Sequence, residues 1–428
     1  MNRRNWLKSM SATAGAGVAS SLGLLGRAAS AQTAQQPIRI GFISSLSGAQ
    51  APLGQPMLLG AQIGVDQINK AGGVNGRKLE LVVRDDKAKP TDASVAAREL
   101  AGDGVNLLCG VVSSSVALAI SAMLEQQKAL LITCAAHSDK LTKENFVPYY
   151  FRGTDNPYMR ERALARMAAQ RYASVSSWGS IIPDHEYGRT TWACFEDGLA
   201  EFYPAIAKKD PVVFQPVKTA YGAADYRGSI TTAMGVPAEG FFVSAYGDDA
   251  VTLYKQAGPF GFFKKSKLIV DSANELIVAK AMKQELPDMW VGSHWYAGAF
   301  ENVAASRELQ AEAVRRNGDK LTLGFLSEGH AAVQAYAKAI QAAGSSDTAA
   351  VMRALEEITF DTATGARKFR KEDHQVIKPV IMYRLRGNAQ SSTGFDIVDV
   401  VTVPAEDVID PPTPGKPLQL KTLPLKPI

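Results

Sequence analysis

Short apolar runs and amphipathic segments alternate along this chain with few residues between them, and the rhythm is met twice in succession. Nothing else in the sequence constrains the fold as strongly. Residues 38–43 read as a strand, followed over 44–55 by a loop rich in Ser, Gly, Ala and Pro. Met57, Ala61, Val65 and Ile68 then recur at helical spacing and share one face. Gly72-Gly73 stops that helix, and Asn75-Gly76 turns the chain. Strands follow over 79–83, 105–112 and 129–133, with helices over 91–102 and 116–127. The pattern then restarts, with helices over 158–169, 187–202, 226–234 and 249–257. Strands over 174–182, 211–217, 240–244 and 267–270 lie between them. Residues 300–358 are mainly helical, including 329–343 and 348–358, and late strands are expected over 376–385 and 395–403. Strand–helix alternation with short connections predicts parallel sheets covered on both faces. Two such halves predict an α/β chain of two Rossmann-like lobes, crossed more than once, with ligand between the facing carboxyl ends of the strands.

The first 31 residues stand apart. Arg3, Arg4, Lys8 and Arg27 lie there and no acid does. A basic start, an uncharged and weakly apolar stretch, and Ala29-Ser30-Ala31 together read as a cleavable export leader. Arg3-Arg4-Asn5-Trp6-Leu7 resembles the twin-arginine signal, so a periplasmic location is expected. Without the leader, 43 basic residues face 42 acidic ones. That balance lacks the basic surplus of a nucleic-acid binder, and no nucleic-acid partner is expected. Seven prolines among residues 404–428 suggest an extended wrap. Cys109, Cys134 and Cys194 are too few for a disulfide scaffold. Buried free thiols are expected, with a Cys109–Cys134 bridge as the alternative if their strands are neighbours.

Signatures of catalysis are missing. There is no Walker A motif, H-E-x-x-H or G-x-S-x-G elbow, and the loop after Ile43 lacks G-x-G-x-x-G. The five histidines are scattered, and Cys134-x-x-His137 has no partner pair, so neither metal nor cofactor is expected. Loops suited to capturing a ligand are present. Ser113-Ser114-Ser115 stands between a strand and an apolar helix, where hydroxyls and free N–H groups can hold a carboxylate or cap the helix. Ala135-Ala136-His137 follows the next strand. Tyr187 opens a helix after Pro183-Asp184-His185-Glu186, as a stacking platform or an edge-of-core aromatic.

Taken in order, several of these pieces resemble a known family. They are Ile38-Arg39-Ile40-Gly41-Phe42 leading to Ser47-Gly48 and Gly54, Asn69-x-x-Gly72-Gly73-x-x-Gly76, Asp85-Asp86, the serine run, Asp184-His185-Glu186-Tyr187-Gly188, and Gly329-His330-Ala331-Ala332. Their order and spacing are similar to those of the solute-binding proteins of ATP-driven importers, of the branched-chain amino-acid-binding type. The resemblance implies a type I periplasmic binding fold with a three-segment hinge and no enzymatic activity. It implies a first lobe of 37–152 and 296–368, a second of 153–295 and 369–403, and a monomer serving membrane permease subunits. By resemblance, Ser113, Ser114, Ser115, Ala135, Ala136 and His137 meet the ligand from the first lobe. Tyr187, Tyr246, Ser272 and His330 complete the implied set. The chain departs from the amino-acid pattern at His137, where Thr is usual, and at Leu53, where Trp is usual. It departs also at Asp271-Ser272-Ala273-Asn274, where Ser272 stands nearest the acid that meets the ammonium. An unpaired buried ammonium costs several kcal/mol, which favours a neutral or carboxylate-only ligand (an aromatic, keto or hydroxy acid, an amide or urea), with an amino acid as the ligand if Asp271 or another acid meets its ammonium. A periplasmic sensor of the same fold is the alternative function, and a hydrolase with a triad hidden in the sequence is the enzymatic one.

Overall fold

The computed structural model describes residues 36–428 apart from residue 273, so the leader read over 1–31 lies outside the described residues. Five strands form the first sheet: β1 (Ile38–Ser44), β2 (Leu79–Asp85), β3 (Leu107–Gly110), β4 (Leu130–Thr133) and β5 (Tyr150–Arg152). Their order is β2-β1-β3-β4-β5, and every pair is parallel. Helices α1 (Ala51–Lys70), α2 (Pro90–Gly102), α3 (Ser114–Ser121) and α4 (Leu124–Gln127) connect them. Side chains alternate between two buried layers, as a sheet covered on both faces requires. Leu107 and Cys109 enter one layer and Leu108 the other; Leu130 and Ile132 enter the first and Leu131 the second.

The second lobe begins with α5 (Pro157–Arg171), whose start is capped by the Asn156 side chain accepting from Met159 N–H. Its sheet then gains β6 (Ser177–Pro183), β7 (Val212–Phe214), β8 (Val217–Thr219), β9 (Gly240–Val243), β10 (Leu268–Asp271) and β11 (Met289–Ser293). Helices α6 (Glu186–Phe202), α7 (Arg227–Gly235), α8 (Asp248–Ala257), α9 (Phe262–Lys265) and α10 (Ile277–Met282) lie between these strands. The single strand expected over 211–217 is broken into β7 and β8 around Pro216, which has no N–H for a ladder.

The chain then returns to the first lobe. Helix α11 (Ala304–Asn317) precedes α12 (Phe325–Ala343) and α13 (Thr348–Leu355). A small antiparallel sheet of β12 (Thr359–Thr362), β13 (Gly365–Phe369) and β14 (Val376–Ile377) follows. Phe369 and Val376 pack in the first lobe's core. The chain therefore leaves this lobe after Ile377, nine residues beyond the 368/369 crossing that the resemblance implies. Two antiparallel strands, β15 (Val380–Gly387) and β16 (Phe395–Val403), extend the second sheet beside β11. The proline-rich tail ends in β17 (Leu425–Lys426), paired with β7. All three cysteines are buried and free. Although β3 and β4 are neighbours, Cys109 stands opposite Ile132, and Cys134 lies beyond the end of β4. Among the described residues no helix is long and apolar enough to cross a membrane.

Helices α1 and α12 approach so closely that glycine is needed on both. A Cβ on Gly60 would meet the Leu326 carbonyl oxygen at 1.8 Å, and one on Gly329 would meet that of Met57 at 1.9 Å. Gly329→Ala is expected to lower stability by about 1–3 kcal/mol through overpacking against backbone. The midpoint of urea unfolding measures this, and an unchanged midpoint would contradict the packing described.

Candidate functional site

The cleft wall begins at the end of β3. Gly110 has φ of 109° and Val111 of 62°, a left-handed conformation unfavourable for a β-branched residue. Val111 N–H donates to the Ile43 carbonyl at 2.7 Å, which fixes the kink. The kink aims Ser113 and the start of α3 into the cleft. The first intrahelical bond there is Ala117 N–H to the Ser113 carbonyl, so the amides of the first turn precede the ladder and face the positive helix end. Ser114 Oγ accepts from His137 N–H at 3.1 Å and ties the α3 corner to the loop after β4.

A cavity of about 350 Å³, open solvent at its mouth included, lies between the lobes. Leu53, Val112, Ser113, Ser114, Ala135 and His137 border it from the first lobe's loops and helices, together with Phe325 of α12. Tyr187, Tyr246 and His294 close it from the second lobe. The two tyrosines meet edge to face with centroids 5.0 Å apart. Tyr187 O–H lies 3.0 Å from Ser272 Oγ, which donates to Glu161 Oε1 at 2.6 Å. Burial pushes the Glu161 carboxyl up to about 8. Ser272 thus stands behind Tyr187 as its support, and none of the bordering residues is acidic.

Of the residues expected to meet ligand, Ser113, Ser114, Ala135, His137, Tyr187 and Tyr246 border the cavity. Ser115 is exposed, its hydroxyl 3.0 Å from that of Ser113. Ala136 is buried behind the wall, with its carbonyl accepting from Arg152 at 2.8 Å. His330 is not in the cleft: it packs between α12 and α1, with Nε2 2.7 Å from Gln67 Oε1. Gly329-His330 belongs to the helix contact, where small residues and one packed polar side chain are needed. The sequence reading missed His294 and Phe325, whose rings meet at a 45° tilt with centroids 4.4 Å apart. The signal for His294 was the apolar run of β11 just before it.

The lobes touch around the mouth. Gln50 Nε2 donates to Tyr246 O–H at 2.9 Å. Ser138 Oγ donates to Glu186 Oε1 at 2.8 Å, and Lys140 Nζ lies 3.1 Å from Glu186 Oε2. Cys194 Sγ donates to Asp139 Oδ2 at 3.2 Å. These contacts hold the cleft shut in this structure.

Residues 37–391 match the family described as periplasmic binding protein. The chain belongs to that family. Among its relatives is the leucine-, isoleucine-, valine-, threonine- and alanine-binding protein of Pseudomonas aeruginosa. It is 27% identical over 346 residues, covering 79% of this chain and 87% of that one. Leu/Ile/Val-binding protein homolog 3 of Brucella melitensis is 26% identical over 354 residues, covering 78% and 88%. These relatives are solute-binding proteins, not enzymes. Solved periplasmic binding folds superpose well. The branched-chain amino-acid substrate-binding protein of Streptococcus pneumoniae, in complex with isoleucine, gives a TM-score of 0.73 at 22% identity, covering 86% and 99%. A solute-binding protein of Rhodopseudomonas palustris, in complex with 3,4-dihydroxybenzoic acid, gives 0.74 at 17%, covering 86% and 98%.

Glu186 offers a test of closure. Burial raises its carboxyl pKa, but the bonds from Ser138 and Lys140 outweigh this and hold it below the usual value of 4.5. The closed form therefore binds this proton less readily than the open one. The contribution to closure is present above the ordinary glutamate range and is lost as pH falls through the lowered value. Glu186→Gln is expected to cost closure about 1 kcal/mol, roughly a fivefold shift toward open lobes at neutral pH. Distances between spin labels on the two lobes report the shift; an unchanged distribution would contradict it.

Proposed function

We propose that this periplasmic binding protein captures a small carboxylate with an apolar body and no ammonium group, and delivers it to the permease of an ATP-driven importer. It works as a monomer and leaves the cytoplasm through its twin-arginine leader. The observation that carries the ligand class is the composition of the cavity border. A helix start and two serines can receive an anion there, apolar and aromatic side chains can cover a body, and no acidic side chain stands ready for a cation. The ligand carboxylate takes the Ser113 hydroxyl and the first-turn amides of α3, a site favoured further by the helix dipole. Tyr187 and Tyr246 then cover the ligand's body, and water leaves as the lobes shut. Closure depends on the ligand binding the shut form better than the open one, because it touches both lobes only there.

Two matched pairs of ligands test this reading. 4-Methylpentanoate should raise the melting temperature more than leucine, and 3-phenylpropanoate more than phenylalanine, since each acid lacks only the ammonium. Ser113→Ala should weaken binding of the acids by about 1–3 kcal/mol, the usual cost of losing one polar partner. Calorimetric titration measures both effects. Tighter binding of the amino acids would overturn the ligand class, and full affinity in Ser113→Ala would remove the carboxylate from α3.

A further inference from the structure

Two polar atoms at the cleft have no partner among the described residues. His137 Nε2 and His294 Nε2 are both buried without a hydrogen bond. Both residues are 1% exposed, both border the cavity, and their ring centroids lie 5.7 Å apart. One imidazole comes from each lobe, after β4 and after β11. Leaving a buried polar atom unanswered is costly, so two in one cavity point to a ligand group that answers both.

The surroundings select the chemistry of that group. One nitrogen of each ring and a carboxylate oxygen of Asp155 lie within 4.8 Å of one another, the arrangement of a candidate metal site. Asp155 is already engaged, however. Its oxygens accept from Arg160 at 2.7 and 2.9 Å, from Lys378 at 3.1 Å and from Thr154 at 3.1 Å. A metal ion would sit against a guanidinium and an ammonium in a site with little water to screen them. The same environment keeps both rings uncharged. Burial, and then Arg160 with Lys378, lowers both pKa values far below 6.5; Arg152 adds to this at His137, while Asp155 opposes it at both. On the far side of His294, Nδ1 lies 2.8 Å from Glu275 Oε1, and burial raises that carboxyl to about 7. A neutral imidazole presents Nε2 either as N–H or as a lone pair, and a hydroxyl can donate to one such atom and accept from another. An oxygen about 2.8 Å from one nitrogen of each ring fits atoms that lie within 4.8 Å of one another.

We propose that the ligand carries a hydroxyl group in addition to its carboxylate, and that the hydroxyl bridges His137 Nε2 and His294 Nε2. The class is then a hydroxy-carboxylic acid, and the inference rests on the cleft being a carboxylate site. The bridge joins the two lobes through the ligand, so the hydroxyl also favours the closed form.

Calorimetric titration of the mature protein compares benzoate with ortho-, meta- and para-hydroxybenzoate, and isovalerate with its α- and β-hydroxy derivatives. At least one hydroxylated acid should bind about tenfold more tightly than its parent, the worth of one well-placed buried hydrogen bond. That advantage should vanish in His137→Phe and in His294→Phe. A measurement on the unaltered protein stands beside these variants: the nitrogen-15 resonances of both imidazole Nε2 atoms should move with the hydroxylated acid and stay in place with its parent. If parent acids bind and no hydroxyl adds affinity, the bridge is wrong while the carboxylate reading stands. If neither parents nor hydroxylated acids bind, both fall. A rise in melting temperature with micromolar Zn²⁺ alone would replace the bridge with a metal centre.

Discussion

A buried chain of charges at the hinge is the constraint on which the rest of the structure depends. Asp155 lies in the first crossing between the lobes and receives Arg160 of α5 and Lys378 of the third crossing. Lys378 also donates to the His294 carbonyl in the second crossing at 3.2 Å and lies 3.4 Å from Glu328 of α12. Glu328 in turn holds Arg367 of β13 at 2.7 and 3.0 Å. The side chains of these five ionic residues are 0% exposed. Desolvating them is costly, and removing one partner from such a set typically costs about 3–5 kcal/mol. The set is complete only when all three crossings are in place, so it specifies how the two sheets are joined.

The same charges determine what the cleft can do. Burial first, and then Arg160 and Lys378 of this set, lower the His137 and His294 pKa values and keep the imidazoles neutral, as hydrogen-bonding groups rather than cations. Glu161, the nearest acid behind Tyr187, is pushed up to about 8 and linked through Ser272 to the tyrosine hydroxyl. It supports an aromatic wall instead of presenting a charge to the ligand. Of the two acids nearest this wall, Asp155 is paired with hinge cations and Glu161 is pushed toward the protonated form by burial.

Much of this was legible in the sequence because it follows from period and punctuation. The apolar runs of β3 and β4 are fully buried strands, that of β1 is buried at every residue but Arg39, and Gly72-Gly73 marks the end of α1. The loops after β3 and β4 were legible as site loops because parallel sheets bind ligands there. Strand β5 was missed because three residues carry no period, and β11 because its Met-Trp-Val-Gly-Ser run does not alternate. With β11 went His294, which a scattered histidine alone could not announce. His330 failed for a different reason: a motif shared with a family records packing as readily as binding, and here it records two helices in glycine contact. Ser272 lay one layer too deep, because order along the chain does not say which side chain reaches the cavity and which supports it.

The proposed function is that of a clamp that closes on a small carboxylate. Small-angle X-ray scattering of the mature protein, with and without a saturating acid that binds by calorimetry, tests this most directly. The radius of gyration should fall on binding, and the change should follow the fraction of sites filled. Saturation with an unchanged radius would place the ligand outside the closing cleft and contradict the account.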